Sequence, residues 1–154
     1  MNRHPPPTIR DGAHHYVCRI YYEDTDAGGV VYHANYLRIA ERARTEALRD
    51  LDIPHAEMTR QFGLLFMVRR ANLDYLAPAR LDDSVVVRTR ALAIGAASVM
   101  LRQSFYREEA PARALAVAEI QLACVRMDDM RPARIPPRWR ATMARLAEGN
   151  GPDL

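Results

Sequence analysis

The order of apolar and polar positions along this chain predicts one strand, one long helix and then a run of strands. Tyr16 to Tyr22 (YVCRIYY) mixes β-branched and aromatic residues and reads as a strand. From Asn35 to Leu51 the period becomes helical: Leu37, Ala40, Ala47, Leu48 and Leu51 share a face, with Arg42 and Glu46 four apart on a more polar side. Ala40, Ala43 and Ala47 make that face small enough for another backbone to come close. Pro54 ends the element, and HAEMTRQFG predicts a short helical turn stopped at Gly63.

From Leu64 the pattern turns strand-like again. LLFMVRRANLDYLA precedes a turn over 78–83, Ser84 to Ile94 is valine-rich and breaks at Gly95, and Ser98 to Arg107 completes a hairpin. Residues 112–127 are ambiguous, because their alanine, leucine and glutamate favour helix. Yet Ala114, Ala116, Ala118, Ile120, Leu122 and Cys124 form one apolar face at period two. RPARIPP is a break, and Arg138 to Glu148 predicts a short helix ending at Gly149. The order is α+β with a single dominant helix. Residues 1–14, with Pro5-Pro6-Pro7 and Gly12, are expected to be a flexible lead, 15–135 one domain, and 136–154 a C-terminal helix and tail.

Composition narrows the chemistry. The 154 residues suit one domain. All 22 Lys/Arg residues are arginine, so a Schiff-base lysine and a phosphate loop ending in Gly-Lys are both excluded. A net charge of +3 is too weak to argue for nucleic acid. Cys18 and Cys124 are isolated thiols without a CxxC partner, so two small core residues are expected rather than a disulfide or zinc site. His14 and His15 lack metal-ligand spacing and are expected to be solvated. The N-terminus has no apolar signal region, and the run from Ala91 to Leu101 is too short to span a bilayer. A soluble, cytoplasmic protein is expected, with no metal and no cofactor.

The densest chemical signal is YYEDTDAGGVVYHANY, residues 21–36. Asp24 and Asp26 precede Gly28-Gly29 and then the start of the long helix. The run mimics a calcium loop, but the position of the bidentate glutamate holds Asn35. No G-x-S-x-G is present. What is left is an acid at a glycine turn just before a helix N-terminus, where N–H groups can bind a developing oxyanion and a carboxylate can act as base or nucleophile. That constellation suits acyl transfer to water. From the residues alone, capping or turn formation is the commoner role for such an aspartate.

The stretch YYEDTDAGGVVYHANYLRIAERARTEAL, continued by DYLAPARLDD (74–83), resembles the signature of YbgC-type acyl-CoA thioesterases, within the 4-hydroxybenzoyl-CoA thioesterase family of hotdog-fold proteins. The resemblance runs to about residue 135. It implies a hotdog fold, a long central helix wrapped by a curved five-stranded antiparallel sheet, with 112–127 as a strand and subunits pairing through their sheets. It places the catalytic carboxylate on Asp26, as general base or as nucleophile. The backbone N–H of His33 would polarise the thioester carbonyl, and its imidazole would orient water or Asp26, or simply cap the helix. Gly29, Val31, Tyr32 and Asn35 would line the substrate or shape the helix start. Asp24 is assigned to the turn, and Glu41 is held in reserve as an alternative acid.

The hairpin loop that carries cations in some relatives reads GAAS (95–98) here. Arg69 and Arg70 are therefore the expected contacts for the phosphates of coenzyme A, with Arg90 and Arg102 as alternatives. The expected partners are an acyl-CoA substrate and further copies of the chain, as homodimer or homotetramer, with no nucleic acid. A link to the Tol-Pal envelope system and phospholipid metabolism is implied by the resemblance alone. A hotdog dehydratase, and a non-enzymatic acyl-CoA-binding or envelope-associated scaffold, are the competing functions.

Overall fold

The computed structural model describes residues 6–147. The chain order is β1 (Ile9–Arg10), β2 (Ala13–Arg19), α1 (Asn35–Asp50), α2 (His55–Phe62), β3 (Leu64–Tyr75), β4 (Ser84–Ile94), β5 (Ser98–Arg107), β6 (Ala110–Arg126) and α3 (Pro137–Met143). The strands form one antiparallel sheet in the order β1-β2-β4-β5-β6-β3. The ambiguous segment is a strand: β6 lies between β5 and β3, so its period-two face is buried while neither edge is free. Five strands are those expected. The sixth is the two-residue β1.

That extra strand comes from a turn the apolar pattern did not reveal. Asp11 and Gly12 both have positive φ, 54° and 68°, and they join Arg10 to Ala13 in a tight hairpin. Asp-Gly is a preferred pair for such a turn. Residues from Ile9 onward in the expected flexible lead are thus strand-paired, and β2 begins before Tyr16. His14 and His15 are buried, not solvated, because β2 is covered on one side by β4 and at its rim by α1. His14 Nε2 meets Asp50 Oδ2, at the end of α1, at 2.8 Å. Residues 1–5, and the tail with Glu148 and Gly149, lie outside the described residues.

Helix α1 packs its face of Tyr36, Ile39, Ala40, Ala43, Ala47 and Leu48 onto the sheet. The three alanines leave the helix backbone close enough for a polar clamp. Gln103, fully buried in the middle of β5, donates through Nε2 to Ala40 O at 2.9 Å and to Thr89 Oγ1 at 3.1 Å, and its Oε1 accepts from Arg44 at 3.1 Å. Leu37, expected on the buried stripe, faces outward instead. Ile39 takes its place, one residue round the helix from the small stripe.

After β6 the chain returns across the sheet. Ile135 N–H reaches Ala96 O at 2.8 Å, and Cys124 N–H reaches Ala97 O at 2.8 Å, so the cation-free hairpin loop is closed by the protein's own backbone. Trp139 of α3 is buried against Phe62, rings 5.8 Å apart and nearly perpendicular. Arg138 fastens α3 to the rest through Glu57 at 2.7 Å and Asp52 O at 2.7 Å. Cys18 is half-buried and Cys124 buried; both thiols are free, and burial raises both pKa values, Cys18 to about 11. Neither is a nucleophile at neutral pH.

Candidate active site

The loop from β2 into α1 is pinned by Asp24. Its Oδ2 accepts the Tyr21 N–H at 2.8 Å, while its carbonyl accepts Tyr32 N–H at 2.9 Å and Asn35 Nδ2 at 2.8 Å. Asp24 therefore makes the turn bonds expected of it, and Asn35 serves the helix start. Val31 donates its N–H to Ala79 O at 2.8 Å and buries its side chain in the core. It anchors the loop; its side chain does not line an open surface. Further pairing of Thr25 with Val31, and of Val30 with Arg80, leaves the segment between them as an exposed tip.

Asp26 stands on that tip. Oδ1 accepts the Gly28 N–H at 2.8 Å, the main-chain N–H goes to Val30 O at 2.9 Å, and the carbonyl accepts Gly29 N–H at 3.0 Å. Gly29 has φ +77°, a conformation that favours glycine. At Gly28 a Cβ would come within 3.2 Å of Asp26 Oδ1. Both glycines thus fix the carboxylate, leaving Oδ2 exposed with no partner among the described residues.

At the other end of the loop α1 begins without a side-chain cap, since its cap residue is Ala34. Asn35 N–H turns back to Tyr32 O at 2.8 Å, but the N–H groups of His33 and Ala34 have no acceptor among the described residues. Such orphan donors carry the positive end of the helix dipole. The exposed His33 ring lies against Tyr32, centroids 4.3 Å apart and planes tilted by 52°, and no hydrogen bond joins His33 to Asp26. Tyr75, to which sequence reasoning gave no role, donates its hydroxyl to His33 O at 2.9 Å. The structure thus gathers Asp26, Gly29, Tyr32 and His33 on one exposed loop. Arg69 and Arg70 lie apart, in the middle of β3, about 17 Å along the strand from Tyr75 at its ordinary rise. Neither has a described partner, whereas Arg90 donates to Asp11 O at 2.8 Å and Arg102 pairs with Glu119 at 2.9 Å.

A second feature lies further along α1. A cavity of about 420 Å³ opens between the second half of α1 and the sheet. Its rim carries Glu41, Arg44, Thr45 and His55, and its interior is aliphatic. Glu41, the reserve acid, is therefore on this cavity, and Asp26 is not. Burial lowers the pKa of His55, with Arg44 adding to the effect, so its imidazole is neutral at pH 7. Among the described residues no group of three or more His, Cys, Asp or Glu is placed to hold a metal ion, and no helix is long and apolar enough to cross a membrane.

Comparison with known proteins decides the family. The profile of the thioesterase-like superfamily matches residues 21–143. The chain belongs to this superfamily. Its relatives include the acyl-CoA thioesterase YbgC of Haemophilus influenzae, 38% identical over 88% of this chain and 98% of that protein. The acyl-CoA thioester hydrolase YbgC of Escherichia coli is 40% identical over 77% of this chain and 86% of that protein. Among solved structures, a probable thioesterase from Bartonella henselae superposes with a TM-score of 0.74 at 31% identity, covering 80% of this chain and 99% of that one. The expected hotdog fold is thereby established. The superfamily match begins at Tyr21 and ends at Met143, so the Asp26 loop, the start of α1 and all of the cavity lining except Leu146 fall inside it.

Proposed function

We propose that this chain hydrolyses acyl-CoA thioesters to the free acid and coenzyme A, with Asp26 as the reacting carboxylate. The observation that carries this reading is one loop with two ends. At its tip Asp26 holds an exposed, unpartnered carboxylate oxygen, and at its foot α1 presents the uncapped N–H groups of His33 and Ala34. A thioester carbonyl set against those donors would be polarised as its oxygen gains charge. Asp26 Oδ2 would then deprotonate the water that attacks the carbonyl and expels CoA thiolate, or itself attack, breaking the C–S bond to release CoA thiolate and give a mixed anhydride that water hydrolyses to the free acid. Tyr32 and His33 would flank the reacting group, with the Gly29 backbone beside it. Close relatives named as acyl-CoA thioester hydrolases support the same chemistry.

The working unit in this proposal is a homo-oligomer paired through β3. That strand is the sheet's edge, and Met67 and Val68 on it are 40% and 46% exposed. A long apolar edge of this kind invites pairing with another strand. Arg69 and Arg70 on the same strand are the proposed phosphate contacts. The domain formed by residues 15–135 would carry the activity in the cytoplasm, where CoA thioesters are made, with a link to envelope or phospholipid metabolism as its setting.

The test is release of free thiol from a panel running from acetyl-CoA to palmitoyl-CoA, plus benzoyl-CoA. Hydrolysis of at least one ester, lost in Asp26→Asn, is the expected result. Near-zero rates across the panel would instead favour an acyl-CoA-binding scaffold, which should also survive Asp26→Asn in a complementation assay.

A further inference from the structure

We infer that Arg107 and Asp83 are positioning residues for the Asp26 carboxylate. Together they clasp the turn between β3 and β4, and that turn holds the Asp26 loop. The inference rests on the thioesterase reading and deepens it by naming what fixes the reacting group.

The clasp closes both ends of the turn at once. Arg107, the last residue of β5, donates through Nε to Asp83 Oδ2 at 3.0 Å and through Nη2 to Pro78 O at 2.8 Å. The same Asp83 oxygen accepts the Arg80 N–H at 2.8 Å, and the Asp83 N–H returns to Arg80 O at 3.1 Å. A guanidinium presents its donors in a rigid planar fork, so this one side chain fixes Pro78 relative to Asp83. Bonds to an ionised partner are also about twice as strong as neutral ones. A turn tied in this way is a firm base for whatever it carries.

What it carries is the loop. Buried Ala79 accepts the Val31 N–H at 2.8 Å, and Arg80 pairs with Val30. Val30 O in turn accepts the Asp26 N–H at 2.9 Å. Among the described residues, the hydrogen bonds that lead from segment 25–31 out of its own loop go to this turn alone. The turn also touches the helix, since the Ala79 N–H donates to Tyr36 Oη, in the first turn of α1, at 3.3 Å. One clasped element therefore sets the place of the carboxylate and meets the start of α1, where the proposed polarising N–H groups lie. Catalysis by a positioned carboxylate depends on that spacing, and a misplacement of about 1 Å can cost about a hundredfold in rate.

The test combines amide hydrogen exchange with thiol-release kinetics on Arg107→Met, which keeps an apolar stem and removes both donors. Protection of the Val31 N–H should fall at least about tenfold, while amides in the middle of α1 and β6 keep theirs. On the acyl-CoA that the wild type hydrolyses fastest, kcat should fall about 10- to 100-fold, with KM changed less than about threefold. Added to Asp26→Asn, the same substitution should change the residual rate less than about twofold, because the carboxylate it positions is gone. An unchanged kcat, an equal loss of rate in both backgrounds, or Val31 protection as in the wild type would overturn the inference. Should Arg107→Met not fold, Asp83→Asn loosens the same clasp while keeping its shape, and the same readouts decide. If the wild type hydrolyses no thioester, the thioesterase reading falls, and the exchange result alone decides whether Arg107 holds the loop.

Discussion

The hydroxyl of Tyr75, at the end of edge strand β3, donates to the carbonyl oxygen of His33 at 2.9 Å and so ties the rim of the sheet to the start of α1. The bond fixes the peptide plane next to the proposed carbonyl-polarising N–H groups. Tyr75→Phe should lower kcat about tenfold while costing about 1 kcal/mol or less of stability, the net worth of one exposed hydrogen bond. Thiol-release kinetics beside a thermal melt will separate the two effects. An unchanged kcat would show that the bond only decorates the loop.

Asp26→Asn keeps a side-chain oxygen for the Gly28 N–H and removes the charge. The loop should stay in place, KM should change little, and kcat should fall by roughly 10²–10⁴-fold if the carboxylate acts as a general base. A variant hydrolysing at the wild-type rate would move the catalytic role to Glu41.

Gln103 satisfies three polar groups at once beneath the helix: Ala40 O, Thr89 Oγ1 and the Arg44 guanidinium. Gln103→Leu should destabilise the fold by about 2–4 kcal/mol, because buried polar groups lose their partner and regain no water. Urea unfolding measures this directly. A loss below about 1 kcal/mol would mean that the three groups find other partners.

Burial pushes the His15 imidazole down to about 4 from its ordinary 6.5, with Arg10, Arg88 and His14 repelling the proton further. Between these two values the unfolded chain holds the proton and the folded chain does not. Stability is therefore complete above about pH 6.5 and is lost as the pH falls toward 4, by about 2–3 kcal/mol in all. His55 shifts in the same direction. Denaturant midpoints from pH 8 to pH 4 should drop accordingly, and less steeply in His15→Asn.

Met67→Glu places a charge on the exposed edge of β3. It should shift the assembly toward monomers in sedimentation equilibrium and lower kcat in proportion, since the proposed working unit is a homo-oligomer. A fully active monomer would remove the edge-pairing proposal.

Much of this architecture was legible beforehand. The period change at Asn35 and the break at Gly95 marked α1 and the β4–β5 hairpin because each depends on local pattern. The DTDAGG run marked the loop because Gly29 answers to backbone geometry that few other residues adopt. Segment 112–127 was a tie on propensity, and only its place between two strands makes it β6. The roles of Tyr75 and Gln103 were hidden for another reason. Each acts on a partner far away in sequence, His33 and Ala40 respectively, so no window along the chain contains the pair. His14 and His15 misled because a polar name says nothing about a strand that two neighbours cover.

The cavity wall supplied by Met143 and Leu146 also makes the last turns of the described chain part of the core. Residues 137–146 follow every strand in the chain, so a truncation before Pro137 would leave Leu48, Leu101 and Leu122 facing open space where Met143 and Leu146 now lie.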